Sequence, residues 1–409
     1  MSGADKRPRE DRAEGETVPR DVSETLAWCA AFSIASAALL LTRFASQDPD
    51  STLYAGISAR LAALPLRNWI APEWWNLWAR FEGPYREHPV GVFLLPALLG
   101  RLGVPPLQAA FVVGAAFSIA ALFLLRRVGA LVVGQRESAV VPWVALILPT
   151  AFVYRIRATQ EYPVLVLLLL AIYATEKSRT SAAWIVVTVL AACATALVKG
   201  IFVVFVPIVC GLWLICIREE DRHDRLAWLG LGLSMAAVAL CAISYEALYR
   251  RLTGNSFLDF YLSYRLNQGD PRRASEKLYN FVWYSGRLLW FAFPGTLALI
   301  VFAVKRTRTG PGGRTGREAQ GLRFALGVAA AYLLVMSAGG TKADRYLFPA
   351  YFALGIAGAF LAIRRWDRAA RWANRLATLE PRALALGWLL LFLAALPFEL
   401  KVPYVKFWP

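Results

Sequence analysis

The chain is predicted to be an all-α, polytopic transmembrane helical bundle, and three observations carry that expectation. Of its 409 residues 58% are apolar, the mean hydropathy is +0.47, and runs of about 17–23 apolar residues, long enough to span a hydrocarbon core, recur along it. A net charge of +17 would suggest a nucleic-acid partner in a soluble protein. Here lysine and arginine gather in short connections between apolar runs, as the positive-inside rule requires, so no nucleic acid is expected. Cys29, Cys193, Cys210, Cys216 and Cys241 all fall within apolar runs without CxxC spacing. That favours core packing over a disulfide framework or a thiolate metal site.

Residues 1–24 are polar, mixed in charge and without an apolar face, and are expected to form a disordered cytoplasmic tail before a single membrane-embedded domain over 25–409. The first apolar run, 26–44, is too long for a signal-peptide core and no small-residue cleavage site follows it. It therefore stays as an anchor and puts 45–88 outside. In that loop Leu53, Ile57, Leu61 and Leu64 recur at helical spacing, suited to a helix lying along the bilayer surface. Trp69, Trp74, Trp75 and Trp78 are expected at headgroup level.

Further apolar segments fall at 89–102, 106–125, 138–154, 159–175, 182–198, 200–217, 227–249, 286–304, 322–338, 346–363 and 383–398. A second long polar connection, 250–285, breaks the series as the other large outer loop. Arginine-rich loops at 305–321 and 364–382 mark the cytoplasmic side. Counting backward from them puts Arg126, Arg127 and Arg136 inside, whereas counting forward with every segment crossing puts them outside. One segment must fail to cross. The weakest is 89–102, only about 21 Å long as a helix and interrupted by Pro96 and Arg101. The expectation is about 11–12 helices and eleven crossings.

Two acidic clusters flank the first outer loop: Asp48-Pro49-Asp50 with Tyr54 four residues later, and Glu87-His88-Pro89. Carboxylates at the mouth of an apolar bundle are costly to place and nominate a polar site. Asp48-Pro49-Asp50 is equally readable as turn and cap chemistry. His88 is one of only two histidines, and Pro89 can open a helix without sacrificing a backbone donor.

The stretches SQDPDSTLYAGISARLA, REHPVGVFLLPALLGRLGV, RIRATQEYPVLVLLLLAIYA, ATALVKGIFVVFVPIV and GGTKADRYLFPAYFALGIAGA resemble, in order and spacing, the GT-C glycosyltransferases. The branch they resemble most is that of the protein O-mannosyltransferases and aminoarabinose (lipid A) transferases. The resemblance covers about residues 26–363 and implies transfer of a sugar from a polyprenyl-phosphate carrier to a protein, lipid or glycan acceptor outside the plasma (inner) membrane. It puts the family's first-loop acid on Asp50 and its tyrosine on Tyr54. Ser51 stands where relatives often carry a second acid, and Asp48 is the nearest substitute. The resemblance further matches Glu87, with His88 at a Lys or His position, Glu161, the Lys199-Gly200 pair, and Lys342, Arg345 and Tyr346.

Chemistry gives these residues roles. An acceptor hydroxyl or amine must lose a proton as it attacks the anomeric carbon, and Asp50 is the expected base, with Glu87 and Glu161 as the other catalytic carboxylates. The departing lipid phosphate needs cations, a role for Arg345, Lys342 and, from the second loop, Arg265. A single displacement with inversion needs no covalent intermediate. Structural readings compete: Lys199 snorkelling to the interface, Lys342 and Arg345 merely flanking a helix, and Glu161 paired with Arg155 or Arg157. Glu87 with His88 offers two ligands to a divalent cation, the one candidate cofactor, and Asp259, Asp270 and Glu276 offer carboxylates without histidine. The rival functions are a transporter or flippase of a lipid-linked or amphipathic substrate, and a catalytically dead scaffold.

Overall fold

A computed structural model of the chain describes residues 20–74, 83–217, 225–267, 274–306, 316–339, 342–379 and 381–401. The described residues are helical apart from turns and one isolated bridge between Glu73 and Pro84. Most of the tail expected over 1–24, with Trp75 and Trp78, lies outside them; the first helix, α1 (Arg20–Leu41), already begins at Arg20. Cys29 is exposed on α1 and does not pack in the core, whereas Cys210 is fully buried.

The loop expected over 45–88 folds as a small unit on the end of the bundle. Helix α2 (Pro49–Ala63) starts with proline at N1, and α3 (Gly91–Arg101) packs against it. Leu53, Ile57 and Leu61 form the expected apolar stripe, but it faces Phe93 and Ala97 of α3 and not the bilayer. Trp69 and Trp74 are likewise buried in this cluster beside Tyr85, a correction to their expected interfacial place. An indole that can close a local core loses more water contact there than at a headgroup layer.

Helix α4 (Pro106–Val133) starts at the level where α1 ends, because Gln108 Nε2 donates to the Phe44 carbonyl at 3.1 Å. Near its other end Arg126 meets Glu24, at the start of α1, at 3.7 Å. So α3, eleven residues long, adds no crossing, and the segment 89–102 is the one that fails to span.

Short helices α5 (Gln135–Ser138), α6 (Val141–Ile147) and α7 (Pro149–Tyr154) lead back, broken where Pro149 follows extended Leu148. Then α8 (Glu161–Lys177) and α9 (Ala183–Lys199) form an antiparallel pair. After Gly200 the chain reverses into α10 (Phe205–Cys216), whose Trp213 Nε1 donates to Glu176 Oε2, at the far end of α8, at 3.0 Å. Gly200 has φ +57°, and a Cβ there would collide with the Tyr261 hydroxyl. Only glycine makes that reversal without strain.

The polar connection over 250–285 is more helical than its polarity suggests. Helix α11 (Arg225–Thr253) runs on past residue 250, α12 (Phe257–Asn267) follows, and α13 (Ala274–Phe291) begins well before 286. Glu246 Oε2 caps α12 by accepting from the backbone N–H groups of Phe257 and Leu258 at 3.0 and 2.9 Å. Helix α14 (Gly295–Arg306) leaves α13 at a bend of 104°. The last elements are α15 (Gly316–Ala338), α16 (Phe348–Arg365), the amphipathic α17 (Asp367–Thr378) and α18 (Pro381–Lys401).

Seven helical stretches are long and apolar enough to cross a bilayer, and the bent pair α13 and α14 makes an eighth. One of the seven, Ala183–Cys216, is the α9–α10 reversal and crosses twice. Counted with α6–α7 and α8, which are shorter, eleven helical passes run between the two ends of the bundle among the described residues, and the protein is a multi-pass membrane protein. The ends of α1, α7, α9 and α18 and the starts of α2, α8 and α16 meet at one end of the bundle. Arg364, paired with Glu137 at 2.9 Å, lies at the other.

Close helix contact at α14 and α16 rests on glycine. A Cβ on Gly358 would overlap the Gly295 carbonyl, whereas one on Gly232 of α11 would meet nothing. Gly358→Ala should therefore destabilise the protein by about 3 kcal/mol, and Gly232→Ala should leave it unchanged or slightly stabilised. Thermal unfolding of the two variants in detergent measures the difference.

Candidate functional site

Local chemistry separates the two aspartates of the first cluster. Asp48 is the N-cap of α2: its Oδ2 accepts from Ser51 N at 2.9 Å and from Ser51 Oγ at 2.7 Å. Its Oδ1 faces Arg157 Nη1 at 3.5 Å, and the residue is buried. Ser51 is therefore the partner that fixes Asp48. With both oxygens engaged, Asp48 fixes the start of α2. Asp50, in the first helical turn, projects instead to Arg345, whose Nη1 donates to Asp50 Oδ2. Its side chain remains 29% exposed.

Glu161 opens α8 and is buried. Its Oε1 accepts from Lys199 Nζ at 2.9 Å and lies 3.9 Å from Arg345 Nε; its Oε2 has no hydrogen-bond partner among the described residues. Neither Arg155 nor Arg157 is its counter-ion, and Lys199 does not snorkel: at 2% exposure it is committed to the interior. Lys199 Nζ also lies 4.5 Å from the Phe202 ring centre and 5.5 Å from that of Tyr346. Tyr346 packs edge-on to Phe202 at 5.3 Å, so the aromatic rings wall the lysine as cation–π partners.

Tyr54 and His88 are buried and meet edge to face at 6.0 Å between ring centres, beside the half-buried Glu87. Lys342 is exposed, with Nζ 4.0 Å from the Tyr279 ring centre. It stands at the rim, outside the buried ion pairs. Arg265 is on α12, and its side chain lies outside the described residues. Asp270 also lies outside them. Among the described residues no three histidine, cysteine or carboxylate groups gather as metal ligands would.

Glu399, Asp344 and Arg287 of this cluster were not singled out from sequence, and Arg157 was weighed only as a counter-ion of Glu161. Arg157, between α7 and α8, is shared by Asp48 and by Glu399, whose Oε1 accepts from Nε at 2.6 Å. Burial works against the Arg157 charge, but the two carboxylates outweigh it and hold its pKa above the ordinary arginine value. Glu399 comes from the end of α18, and Asp344, next to Arg345, is met by Arg287 Nε of α13 at 2.9 Å. A charged residue at each end of an apolar run was the available signal; the pairing was not.

Beside this cluster lies a cavity of about 300 Å³. It starts at Tyr54, Ser58 and Thr159 and continues along Leu95, Phe117 and Leu167 into the apolar body of the bundle. The ion-paired cluster and an apolar cavity thus lie side by side, sharing neighbours in sequence at Thr159 and Val198.

No family model matches the chain, and no curated protein matches it by sequence. Its fold has clear neighbours. The aminoarabinose transferase ArnT from Cupriavidus metallidurans, in the apo state, superposes with a TM-score of 0.65 over 93% of this chain and 77% of ArnT, at 16% identity. ArnT bound to undecaprenyl phosphate gives the same score over 92% of this chain and 77% of ArnT, again at 16% identity. The oligosaccharyltransferase of Archaeoglobus fulgidus, in a complex with Zn and sulfate, gives 0.50 at 13% identity, over 88% of this chain and 52% of that one. The bundle is a GT-C fold.

The Lys199–Glu161 pair can be tested as a buried ion pair. Lys199→Ala, by stranding Glu161, should cost about 3–5 kcal/mol, and most of that should return in the Lys199→Met, Glu161→Gln double variant. Equilibrium unfolding of the three proteins reads the coupling.

Proposed function

We propose that the protein is an integral-membrane glycosyltransferase that moves a sugar from a polyprenyl-phosphate donor to an acceptor hydroxyl or amine by a single inverting displacement. The observation that carries this reading is the juxtaposition of Arg345, Lys199, Asp50 and Glu161 beside an apolar cavity lined by Tyr54, one helical turn on from Asp50, and by Val198, next to Lys199. A polyprenyl-phosphate has that same division, an anionic head on a long apolar chain. The GT-C neighbour bound to undecaprenyl phosphate supports the donor class.

In this mechanism the donor phosphate is held by Arg345 and Lys199, with Lys342 and His88 around the mouth and Arg265 of α12 as a further candidate cation. The acceptor oxygen or nitrogen attacks the anomeric carbon from the face opposite the phosphate. The bond from that carbon to the phosphate oxygen breaks, its electron pair leaving with the polyprenyl phosphate, whose charge the cations stabilise. The acceptor's proton passes to Asp50. Arg345 can engage the phosphate fully only if Asp50 gives it up, so donor binding itself would release the base. Glu161 holds Lys199 and Arg345 in place, and Glu87 lies beside His88 at the rim.

The arginine-rich segment 364–382 lies at the opposite end of the bundle, which under the positive-inside rule favours an extracytoplasmic site in a plasma (inner) membrane. The bent pair α13 and α14, with Arg287 one turn before the break, is what a transporter of a lipid-linked substrate would also need.

Undecaprenyl phosphate binding and cellular turnover together separate these readings. Arg345→Ala should weaken binding of undecaprenyl phosphate to the purified protein at least tenfold. Asp50→Asn should bind it as well as or better than the wild type, and should lose the change in cell-envelope glycans, lipids or glycoproteins that the wild type produces, as read by mass spectrometry. Full turnover by Asp50→Asn would remove the base assignment, and an unchanged envelope profile with the wild type would count against a transferase.

A further inference from the structure

The arginine-rich end of the bundle is organised beyond what orientation in the membrane requires. Between Arg364 and Arg375 the chain carries five arginines and one acid, Asp367. Helix α17 sorts them: Ala373 is buried against Val140 and Val144, with Leu376 and Ala377 packed on the same cluster, while Arg368, Arg371 and Arg375 occupy the exposed face. Trp372 lies between the two faces at 64% exposure, with Arg375 Cζ 5.6 Å from its ring centre. Among the described residues no ion pair engages Arg368, Arg371 or Arg375. Because α16 and α18 are both membrane spans, α17 lies at the bilayer edge, and its tryptophan is where an interfacial indole belongs.

A second observation lies next to it. A crevice of about 150 Å³ runs between α4, α8, α10, α15 and α16 along Leu125, Val128, Leu169, Phe324 and Phe360, and Arg364 is its one charged lining residue. That guanidinium is already paired with Glu137, so the slot offers apolar surface suited to an acyl chain and leaves the headgroup to the arginines of α17.

We propose that α17 and the adjoining crevice form a binding surface for anionic phospholipids of the leaflet opposite the Asp50 site, with phosphate headgroups on Arg368, Arg371 and Arg375 and an acyl chain in the crevice. Charge complementarity selects this occupant. An uncharged lipid would satisfy the crevice and leave the arginine face without an anion. This surface is independent of the glycosyltransferase reading and does not involve its residues.

The test uses the full chain in micelles supplied with equal amounts of phosphatidylglycerol and phosphatidylcholine, with retained lipid counted by native mass spectrometry. The wild type should retain phosphatidylglycerol preferentially. The Arg368→Gln, Arg371→Gln, Arg375→Gln triple variant should lose at least tenfold of that preference, at roughly fivefold for each arginine near an anionic surface. A matching triple lysine variant should keep most of it. All three arginines are exposed, so both variants should unfold at the wild-type temperature, a check made in the same preparation. No preference in the wild type, an unchanged preference in the glutamine variant, or equal loss in the lysine variant would overturn the proposal.

Discussion

An ion cannot be left alone in an apolar medium, and at the Asp50 end of this bundle five carboxylates are interleaved with four cations. Every pairing there joins different parts of the chain. Lys199 and Glu161 are 38 residues apart, Arg157 and Glu399 are 242 apart, and Arg345 and Asp50 are 295 apart. Each bond is satisfied only if two particular helix ends arrive at the same depth. Apolar packing alone lets helices slide against each other in lipid, where hydrocarbon surrounds them on every side. The charges remove that freedom, because a shift of one turn would strand a buried ion.

Backbone chemistry prepares those meetings before any long-range pair forms. Pro49 at N1 and Asp48 at the N-cap fix where α2 begins, which in turn fixes where Asp50 points. The positive φ of Gly200 reverses the chain just after Lys199, and Tyr261 fills the space that a side chain at residue 200 would need. The Tyr261 hydroxyl also accepts from Ile201 N at 2.9 Å, tying α12 to the end of α9. The Lys-Gly pair is thus one device: glycine turns the chain so that lysine ends inside, facing Glu161.

Much of this was legible in the sequence, and the reason differs by residue. Apolar periodicity located the spans, and arginine placement identified 89–102 as the segment that does not cross, because both depend on composition over many residues. Asp50, Glu161, Lys199 and Arg345 could be nominated because charge at the edge of an apolar run is costly wherever it occurs. The partners could not be read. Nothing local in Glu399 marks it as a ligand of Arg157, and Asp48 and Asp50 differ only in their position relative to a helix start. The tryptophans of the first outer loop illustrate the converse: their composition suggests an interface, but a loop long enough to build its own core draws Trp69 and Trp74 inward.

The pairing also bears on which carboxylate can act. Glu161 is almost wholly buried and holds Lys199, so withdrawing it would leave a lysine unpaired in the bundle interior. Asp50 is partly exposed, and its partner Arg345 keeps Glu161 within 3.9 Å when Asp50 leaves. The cost of freeing Asp50 is therefore lower than that of freeing Glu161. It is offset further if an incoming anion takes its place on the guanidinium. On the proposed reading, the two acids divide the work by burial: Glu161 keeps the cations oriented through the cycle, and Asp50 is held inactive by Arg345 until a phosphate replaces it. A site so arranged keeps its base from activating water while no donor is bound.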